Sequence, residues 1–293
     1  MDIDEEDGGV GLSLFETYSD VLEHFACHGY VVLQNFLAKE QIRNLQRECD
    51  RLQHEHVLAS GSVSTTSCIL EPMGRFNNST HVCRYDRESY CRERSAVFNN
   101  GRIGNAPGRH ASFCSKLQDL LTVILGSDLC LLNEQYNVKP PNLGEATSFA
   151  WHRDADSMRE KGIQQFFPYV SVWCPLDAIT ETNGGLSIIS FQDAVVSGHS
   201  GQQFSAFRED TRKTFLKMAV GDMVVMSHDV WHCSSPNFSS AHRRAYMPQY
   251  SAGPITHGAP MTSGQNPERL VAYAVPLSGV SEERARSTSF TPP

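Results

Sequence analysis

The chain has 293 residues, of which 40% are hydrophobic and 20% are charged, a composition typical of globular proteins. Its 33 acidic and 25 basic residues give a net charge of −8, which provides no general attraction to nucleic acid or to anionic membranes. No apolar run approaches the roughly 18 residues of a membrane-spanning helix, and the acidic first residues differ from a signal peptide. These properties exclude secreted, membrane-spanning, fibrous and nucleic-acid-coating proteins.

The nine cysteines are odd in number, widely scattered and without a CxxC pair. This distribution argues against a disulfide framework or a cysteine-built zinc site, and it favours a reducing compartment. The last four residues also lack a recognisable peroxisomal signal. We therefore expect a cytoplasmic protein that acts on a small molecule, with neither nucleic acid nor a membrane as its partner.

The first part of the chain predicts helices. Apolar residues at helical spacing indicate two N-terminal helices within residues 14–53, with a short buried strand between them. The first of these helices is expected to end at His28 and Gly29. The segment 54–111 lacks periodicity, and we expect an irregular lid or insert there. Its mixed charges at 84–94 fit either a solvated surface or a lid that meets an acidic substrate.

After a further predicted helix at about 112–125, the sequence changes to short β-rich runs separated by Pro, Gly and Asn. Many short strands without alternating helices indicate an antiparallel sandwich or barrel. We predict a mainly β fold decorated with helices, in a single domain over residues 12–275 with its barrel core at 129–251. Tails are expected at 1–11 and 276–293. The predicted strands lie at about 129–138, 146–152, 167–175, 185–190, 213–218, 222–226, 229–233 and 243–251.

His152 and Asp154 stand two residues apart in one of these runs. On a strand or at its end, such residues point to the same side, so both can reach one metal ion. His232 lies in a later run and supplies a third ligand of the required type. Two histidines and one carboxylate form the facial triad of non-haem iron(II) oxygenases, which leaves coordination positions open for a cosubstrate and oxygen.

Arg243 starts the run that follows His232. A barrel strand that begins there would return an arginine beside the metal, and a guanidinium group suits the distal carboxylate of 2-oxoglutarate. Arg244 would point to the opposite side of that strand. His228 lacks the serine that stands two residues after His232.

Two other neighbours of the triad are expected to stay outside it. Asp156 continues the alternation from Asp154, but the metal needs one carboxylate, so Asp156 is expected to be solvated or to lie beyond the ligands. Cys233 should face away from the metal, because neighbouring residues of a strand point to opposite sides.

Five motifs follow one another along the chain: HGYVVLQNFL at 28–37, VKPP at 138–141 before WHRD at 151–154, VWCPLD at 172–177, NGGL at 183–186, and HCSSPN at 232–237 with Arg243. In this order they resemble the phytanoyl-CoA dioxygenase family of iron(II)- and 2-oxoglutarate-dependent oxygenases, and the resemblance covers most of the chain. It implies a double-stranded β-helix, that is, a jelly-roll or cupin-like barrel flanked by helices.

The resemblance also implies a site and a reaction. Dioxygen would drive the decarboxylation of 2-oxoglutarate to succinate and CO2, coupled to hydroxylation or a related oxidation of a small molecule, with ascorbate as a supporting reductant. Halogenase relatives carry a small residue in place of the aspartate, so the carboxylate in this chain favours hydroxylation. The implied residues are the iron ligands His152, Asp154 and His232, the cosubstrate contacts Arg243, Ser234 and Asn137, and the pocket wall Trp173.

Several alternatives stay open at the level of sequence. Lys139 is either a structural turn residue or a group that reaches the pocket. The chain departs from the family at 189–193, where a P-G-S-H turn is common. This departure leaves the metal ligands unaffected and concerns either the local turn alone or the local turn and the substrate pocket. Other possible functions are a non-catalytic iron- or 2-oxoglutarate-binding protein on the same barrel and a cupin-type zinc or manganese isomerase, which needs no Arg243. The residues do not identify the substrate.

Overall fold

The computed structural model describes residues 17–60, 68–72, 115–160, 166–197 and 211–253, and three further strand pieces of two residues each. The helices are α1 (Tyr18–His28), α2 (Lys39–Ser60), α3 (Ser115–Leu125), α4 (Asp156–Glu160) and α5 (Phe191–Val196), with a short 3-10 turn at Glu145–Thr147. The strands are β1 (Tyr30–Leu33), β2 (Cys68–Leu70), β3 (Cys130–Lys139), β4 (Phe149–His152), β5 (Tyr169–Pro175), β6 (Leu186–Ile189), β7 (Thr214–Phe215), β8 (Met223–Ser227), β9 (Trp231–Ser234), β10 (Arg243–Ser251), β11 (Thr256–His257), β12 (Arg269–Leu270) and β13 (Val275–Pro276). None of the described helices combines the length and the apolar character needed to cross a membrane.

Two antiparallel sheets carry the fold. The larger sheet has the order β1-β8-β5-β10-β3-β13, with β2 also paired to β3, and the smaller sheet has the order β4-β9-β6-β7. The order is not sequential, so the chain crosses repeatedly between strands that are distant in sequence. This arrangement is the predicted jelly-roll barrel with helices outside it, and the fold prediction is confirmed.

Side-chain alternation divides the larger sheet into two faces. On β3, Tyr136 and Val138 pack with Leu45 of α2 and Leu117 of α3, so one face is covered by helices. The opposite face contributes residues such as Trp173 to a second cluster that includes Ile188 of the smaller sheet. Because strand residues alternate with a period of two, polar residues an even number of positions from these inward residues also face the barrel interior.

The end of α1 follows from its sequence. Thr17 forms a capping box with Asp20 at the start, and Gly29 ends the helix with a φ of 77°, a conformation that glycine adopts most readily. A Cβ atom on Gly29 would lie 2.9 Å from the ring of Phe191 in α5. The predicted stop at His28 and Gly29 is therefore confirmed, and the glycine also permits close packing.

The predicted boundary between residues 53 and 54 is wrong. The second helix runs on to Ser60 rather than ending at residue 53, because no helix breaker stands before Gly61 and an Arg51–Glu55 ion pair supports the added turn. The segment 54–111 is thus helical at its start and contains β2. Its other parts, including the charged run at 84–94, lie outside the described residues.

The larger sheet also extends beyond the predicted barrel core at 129–251. Strand β1 pairs with β8, in the register Tyr30 with Met226, and strands β2 and β13 pair with β3. The core therefore recruits strands from both sides of the chain, because the edges of the larger sheet need hydrogen-bonding partners. Pro276, placed in the predicted tail 276–293, belongs to β13.

Candidate metal centre

The imidazoles of His152 and His232 face each other across two strands. They are directly opposite in the pairing of β4 with β9, and their ring centroids lie 4.3 Å apart. In each ring Nδ1 lies close to a backbone carbonyl two residues earlier, 2.7 Å from Ala150 O and 3.1 Å from Val230 O. A carbonyl only accepts hydrogen bonds, so Nδ1 carries the proton and both Nε2 atoms keep a lone pair for a metal.

The carboxylate of Asp154 completes the group. Its Oδ2 atom accepts hydrogen bonds from the Ser171 hydroxyl and, at 3.3 Å, from the Gln249 amide. Its Oδ1 atom lies 3.8 Å from His152 Nε2 and 3.7 Å from His232 Nε2. One oxygen is therefore held by the barrel while the other faces the imidazoles, which favours monodentate binding of a metal ion.

The donor set fits a divalent transition metal. Ligand atoms of the three residues all lie within 4.8 Å of one another. Burial lowers the pKa of His232, and the negative charge of Asp154 opposes this shift only in part. The ring is therefore kept neutral and able to bind a metal. Two imidazoles and one carboxylate on one face suit iron(II) and leave the opposite face open.

The neighbouring candidates lie elsewhere. The ring of His228 stacks on Tyr169 with centroids 4.9 Å apart, and its Nδ1 lies 2.9 Å from the Tyr169 carbonyl. Asp156 starts α4 and forms an ion pair of 2.7 Å with Arg153, whose guanidinium also lies over the Trp231 ring. These contacts explain why His228 and Asp156 stay outside the group of ligands.

Arg243 is buried inside the barrel, with only 1% of its surface exposed. Its guanidinium carbon lies 5.5 Å from the centroid of the Trp173 ring, and one terminal nitrogen donates to the carbonyl of Asn137 at 3.4 Å. Its Nε atom has no hydrogen-bond partner among the described residues. Burial lowers the pKa of Arg243 to about 10, so the group is still a cation at neutral pH. A buried cation with a spare donor is suited to an incoming anion.

Arg244 points the other way, as the alternation of β10 requires. It forms ion pairs of 2.7 Å with Asp177 and 2.6 Å with Asp50. The hydrogen bonds and charge of Asp177 raise the pKa of Arg244. Arg244 is thus fully engaged on the outer face, and Asp177 of the VWCPLD motif serves as its partner.

The remaining implied residues lie around this interior. Ser234 is two residues after His232 on β9 and is buried on the same side, whereas Cys233 alternates to the other side. The Asn137 side chain is buried, with Nδ2 3.1 Å from Met247 Sδ and Oδ1 without a partner among the described residues. Trp173 is buried and alternates with Cys174 so that it shares the inward face of Ser171.

A family model described as phytanoyl-CoA dioxygenase matches residues 25–245. The chain belongs to the phytanoyl-CoA dioxygenase family. No curated protein matches the chain. Membership of this family supports an oxygenase-type function that depends on non-haem iron and 2-oxoglutarate.

Solved structures share the fold of this family. AviO1 from Streptomyces viridochromogenes Tue57 is 19% identical with a TM-score of 0.54, over 83% of this chain and 98% of that one. SnoN, described as a non-heme alpha ketoglutarate dependent epimerase from nogalamycin biosynthesis, is 13% identical with a TM-score of 0.55, over 89% and 96%. EvdO2 from Micromonospora carbonacea var. aurantiaca, complexed with 2-oxoglutarate, is 17% identical with a TM-score of 0.51, over 83% and 92%.

In this member of the phytanoyl-CoA dioxygenase family, two residues that hydrogen-bond to Asp154 were not predicted from the sequence. Ser171 and Gln249 are opposite each other on β5 and β10, and Gln249 Nε2 donates to Ser171 Oγ at 2.8 Å while both contact Asp154. Neither belongs to a motif. Their only signal is a polar residue at an inward position of a strand that is mainly apolar around it.

Asn237, the last residue of the HCSSPN motif, has a structural role. It is fully buried, and its Nδ2 donates to the carbonyls of Lys139 and Ala241, each at 2.9 Å. Its backbone N–H donates to Thr147 Oγ1 at 2.7 Å. Asn237 thus ties the VKPP turn to the segment between β9 and β10, and this contact links two of the family motifs.

Proposed function

We propose that this protein is an iron(II)- and 2-oxoglutarate-dependent dioxygenase. In the proposed reaction, 2-oxoglutarate is converted to succinate and CO2 while dioxygen oxidises a small-molecule substrate by hydroxylation or a related reaction. The observation that carries the proposal is the convergence of two imidazole nitrogens and one carboxylate oxygen within 4.8 Å, with a buried arginine on an adjacent wall of the same barrel.

His152, Asp154 and His232 would hold the metal through Nε2, Oδ1 and Nε2. Bound iron(II) would supply a redox-active centre with open positions at which 2-oxoglutarate and dioxygen react. The backbone carbonyls of Ala150 and Val230 fix the tautomers of both rings, so the ligands need little rearrangement when the metal arrives.

Arg243 would bind the distal carboxylate of 2-oxoglutarate, with Ser234 as a second contact. The guanidinium is desolvated and lies beside Trp173, and its Nε is unpartnered within the described part of the chain, so it can donate to an incoming carboxylate. Asn137 would donate a hydrogen bond from its amide Nδ2 to the cosubstrate, and Trp173 would exclude water from that end of the pocket.

The carboxylate at Asp154 favours hydroxylation over halogenation, because it occupies the position where halogenase relatives leave room for a halide. Dioxygen is the proposed oxidant, and ascorbate would support turnover by keeping the iron in the ferrous state. The proposed substrate is a small molecule that enters the open face of the triad.

The test measures succinate formed from 2-oxoglutarate with iron(II) in air, in the presence of a small-molecule library. The wild-type protein is expected to form succinate, and His152→Ala is expected to abolish it because one of the metal ligands is removed. Arg244→Met serves as a matched control on the outer face. If the protein takes up no metal and forms no succinate with any compound, the proposal is wrong; 2-oxoglutarate binding without succinate would indicate a non-catalytic binding protein.

A further inference from the structure

The strand that carries the first histidine ligand is weakly fixed by its own sheet. Strand β4 has four residues and stands at one end of the order β4-β9-β6-β7, so it pairs with β9 on one side. The register of this pairing changes between Phe149 and His152, and Asp154 lies beyond the end of the strand. Backbone pairing alone therefore does not fix the carboxylate of Asp154 relative to the imidazole of His232.

An ion pair joins the two segments that carry the ligands. Arg159 of α4 donates to Asp229 Oδ1 at 2.6 Å, and Asp229 lies in the turn between β8 and β9, three residues before His232. Beside it, the backbone N–H of Ala155 donates to the carbonyl of His228 in the same turn at 2.9 Å. Since Ala155 directly follows the aspartate ligand, these two contacts attach the segment after β4 to the segment before β9.

A second attachment reaches the neighbour of the histidine ligand on β9. Asp156 binds both Arg159, at 3.2 Å, and Arg153, at 2.7 Å. The guanidinium carbon of Arg153 lies 5.0 Å from the centroid of the Trp231 ring. Trp231 directly precedes His232. The β4 segment therefore contacts the β9 segment at residues 229 and 231, through two arginines and two carboxylates that share hydrogen bonds.

The charges of this network indicate what it does. Two guanidinium groups and two carboxylates balance, so the network adds no net charge beside the metal ligands. The side chains of Arg159 and Asp229 are 34% and 38% exposed, and an ion pair with that exposure contributes little to stability by itself. Its effect is on the relative position of two segments that the strand pairing leaves loosely fixed.

We propose that Arg159 and Asp229 are positioning residues of the metal centre. Their ion pair holds the segment of His152 and Asp154 at the separation from His232 that one metal ion requires. This inference rests on the proposed function, in which these three ligands hold iron(II). Partners that orient metal ligands without touching the metal contribute to metal affinity in the same way.

The test is anaerobic competition for iron(II) between a chromogenic chelator and the wild-type protein, Arg159→Met, Asp229→Asn or the double variant. Each single variant is expected to bind iron(II) about 3- to 10-fold more weakly, and the double variant about as weakly as a single one, because the two residues act as a pair. Charge alone predicts the opposite for Arg159→Met, since loss of a cation near the site favours a divalent metal.

The cobalt(II)-loaded protein gives a second readout, because its visible absorption reports the geometry of the ligands. The spectra of both single variants at saturating cobalt(II) are expected to differ from that of the wild-type protein, which a loss of stability alone would not cause. Arg51→Met is the matched control. It removes an exposed ion pair of 2.6 Å with Glu55 on α2, and iron(II) affinity should stay within about 2-fold of wild type.

Unchanged or tighter iron(II) binding in folded Arg159→Met, with an unchanged cobalt(II) spectrum, would overturn this inference alone. Asp229→Asn differs from the native residue only in charge and one donor, and it decides the question in the same way if Arg159→Met does not fold. If the wild-type protein itself binds no iron(II), the proposed function fails as well.

Discussion

Ser171 donates a hydrogen bond to Oδ2 of Asp154 and thereby turns Oδ1 toward the two imidazoles. The serine lies on β5 of the larger sheet, whereas both histidines belong to β4 and β9 of the smaller sheet. The hydrogen bond therefore joins the two walls of the barrel at the candidate metal centre. The position of the carboxylate depends on the packing of the two sheets and not only on the spacing of the HxD pair.

Loss of this hydrogen bond is predicted to weaken metal binding. Ser171→Ala is expected to lower the affinity for iron(II) by about 10- to 100-fold, and Gln249→Leu by a similar or smaller factor, because Asp154 loses its orientation. Anaerobic competition with a chromogenic chelator measures the affinity. Ser251→Ala is the control, since Ser251 is equally buried on β10 but donates to Gly253 O. Equal affinity for iron(II) in Ser171→Ala and the wild-type protein would contradict the role of Ser171 in orienting Asp154.

The two adjacent arginines are predicted to differ in cosubstrate binding. Arg243→Met is expected to raise the dissociation constant of 2-oxoglutarate by about 100-fold, because a buried charge contact is lost. Arg244→Met is expected to leave it within about 2-fold, because Arg244 pairs with Asp177 and Asp50 on the outer face. Anaerobic titration of the iron(II)-loaded variants with 2-oxoglutarate measures both dissociation constants. A larger increase in Arg244→Met than in Arg243→Met would show that Arg244, and not Arg243, binds the cosubstrate.

The amine of Lys139 predicts a pH dependence of stability in the metal-free, cosubstrate-free protein. Its pKa is about 6 when folded, below its ordinary value of 10.5 in an unfolded chain. Between these values the unfolded state binds more protons. The contribution of Lys139 to the free energy of unfolding therefore rises by about 1.4 kcal/mol per pH unit as the pH increases, and it is lost as the pH falls toward 6.

Urea unfolding at pH 7, 8 and 9 checks this dependence. The free energy of unfolding of the wild-type protein minus that of Lys139→Met is expected to increase by about 1.4 kcal/mol per pH unit. Lys39→Met removes an amine from the exposed start of α2 and is the matched control. If the difference for Lys139→Met is constant with pH, the amine is not held neutral by burial.

Asn237 predicts a stability effect away from the metal. Asn237→Ala removes the donor for the Lys139 and Ala241 carbonyls, and it is expected to lower the free energy of unfolding by about 2–3 kcal/mol because buried acceptors lose their partners. Urea unfolding at fixed pH measures this change. Phe238→Ala alters the exposed neighbour in the same loop and should change stability by about 0.5 kcal/mol or less. Similar values for both variants would contradict the structural role.

The strand pattern was predictable where local alternation and breakers define it. Strand β10 has the predicted bounds 243–251. The opposite orientation of the Arg243 and Arg244 side chains follows from the alternation of strand residues with a period of two. The pairing of β1 with β8 was not predictable, because local sequence does not specify a partner nearly two hundred residues away. Helix α5 was also missed, although Ser190 and Asp193 form a recognisable N-terminal cap.

The candidate site shows the same limit. The HxD spacing and the motif order predicted that His152, Asp154 and His232 converge, and in the structure their ligand atoms lie within 4.8 Å of one another. Alternation predicts that Ser171 and Gln249 face inward, but it cannot predict that they meet Asp154, since this depends on how the two sheets pack. The sequence likewise left Lys139 between a turn and a pocket residue, and its burial opposite Arg243 emerges only from the register of β3 and β10.

In the proposed function, His152, Asp154 and His232 hold an iron(II) ion to which 2-oxoglutarate binds. The most direct measurement is the visible charge-transfer absorption that forms when 2-oxoglutarate is added anaerobically to the protein with one equivalent of iron(II). The wild-type protein is predicted to develop this absorption in proportion to bound iron, and His152→Ala, Asp154→Ala and His232→Ala are predicted to lose it while remaining folded. A wild-type protein without the absorption, or a folded His232→Ala variant that retains it in full, would contradict the account.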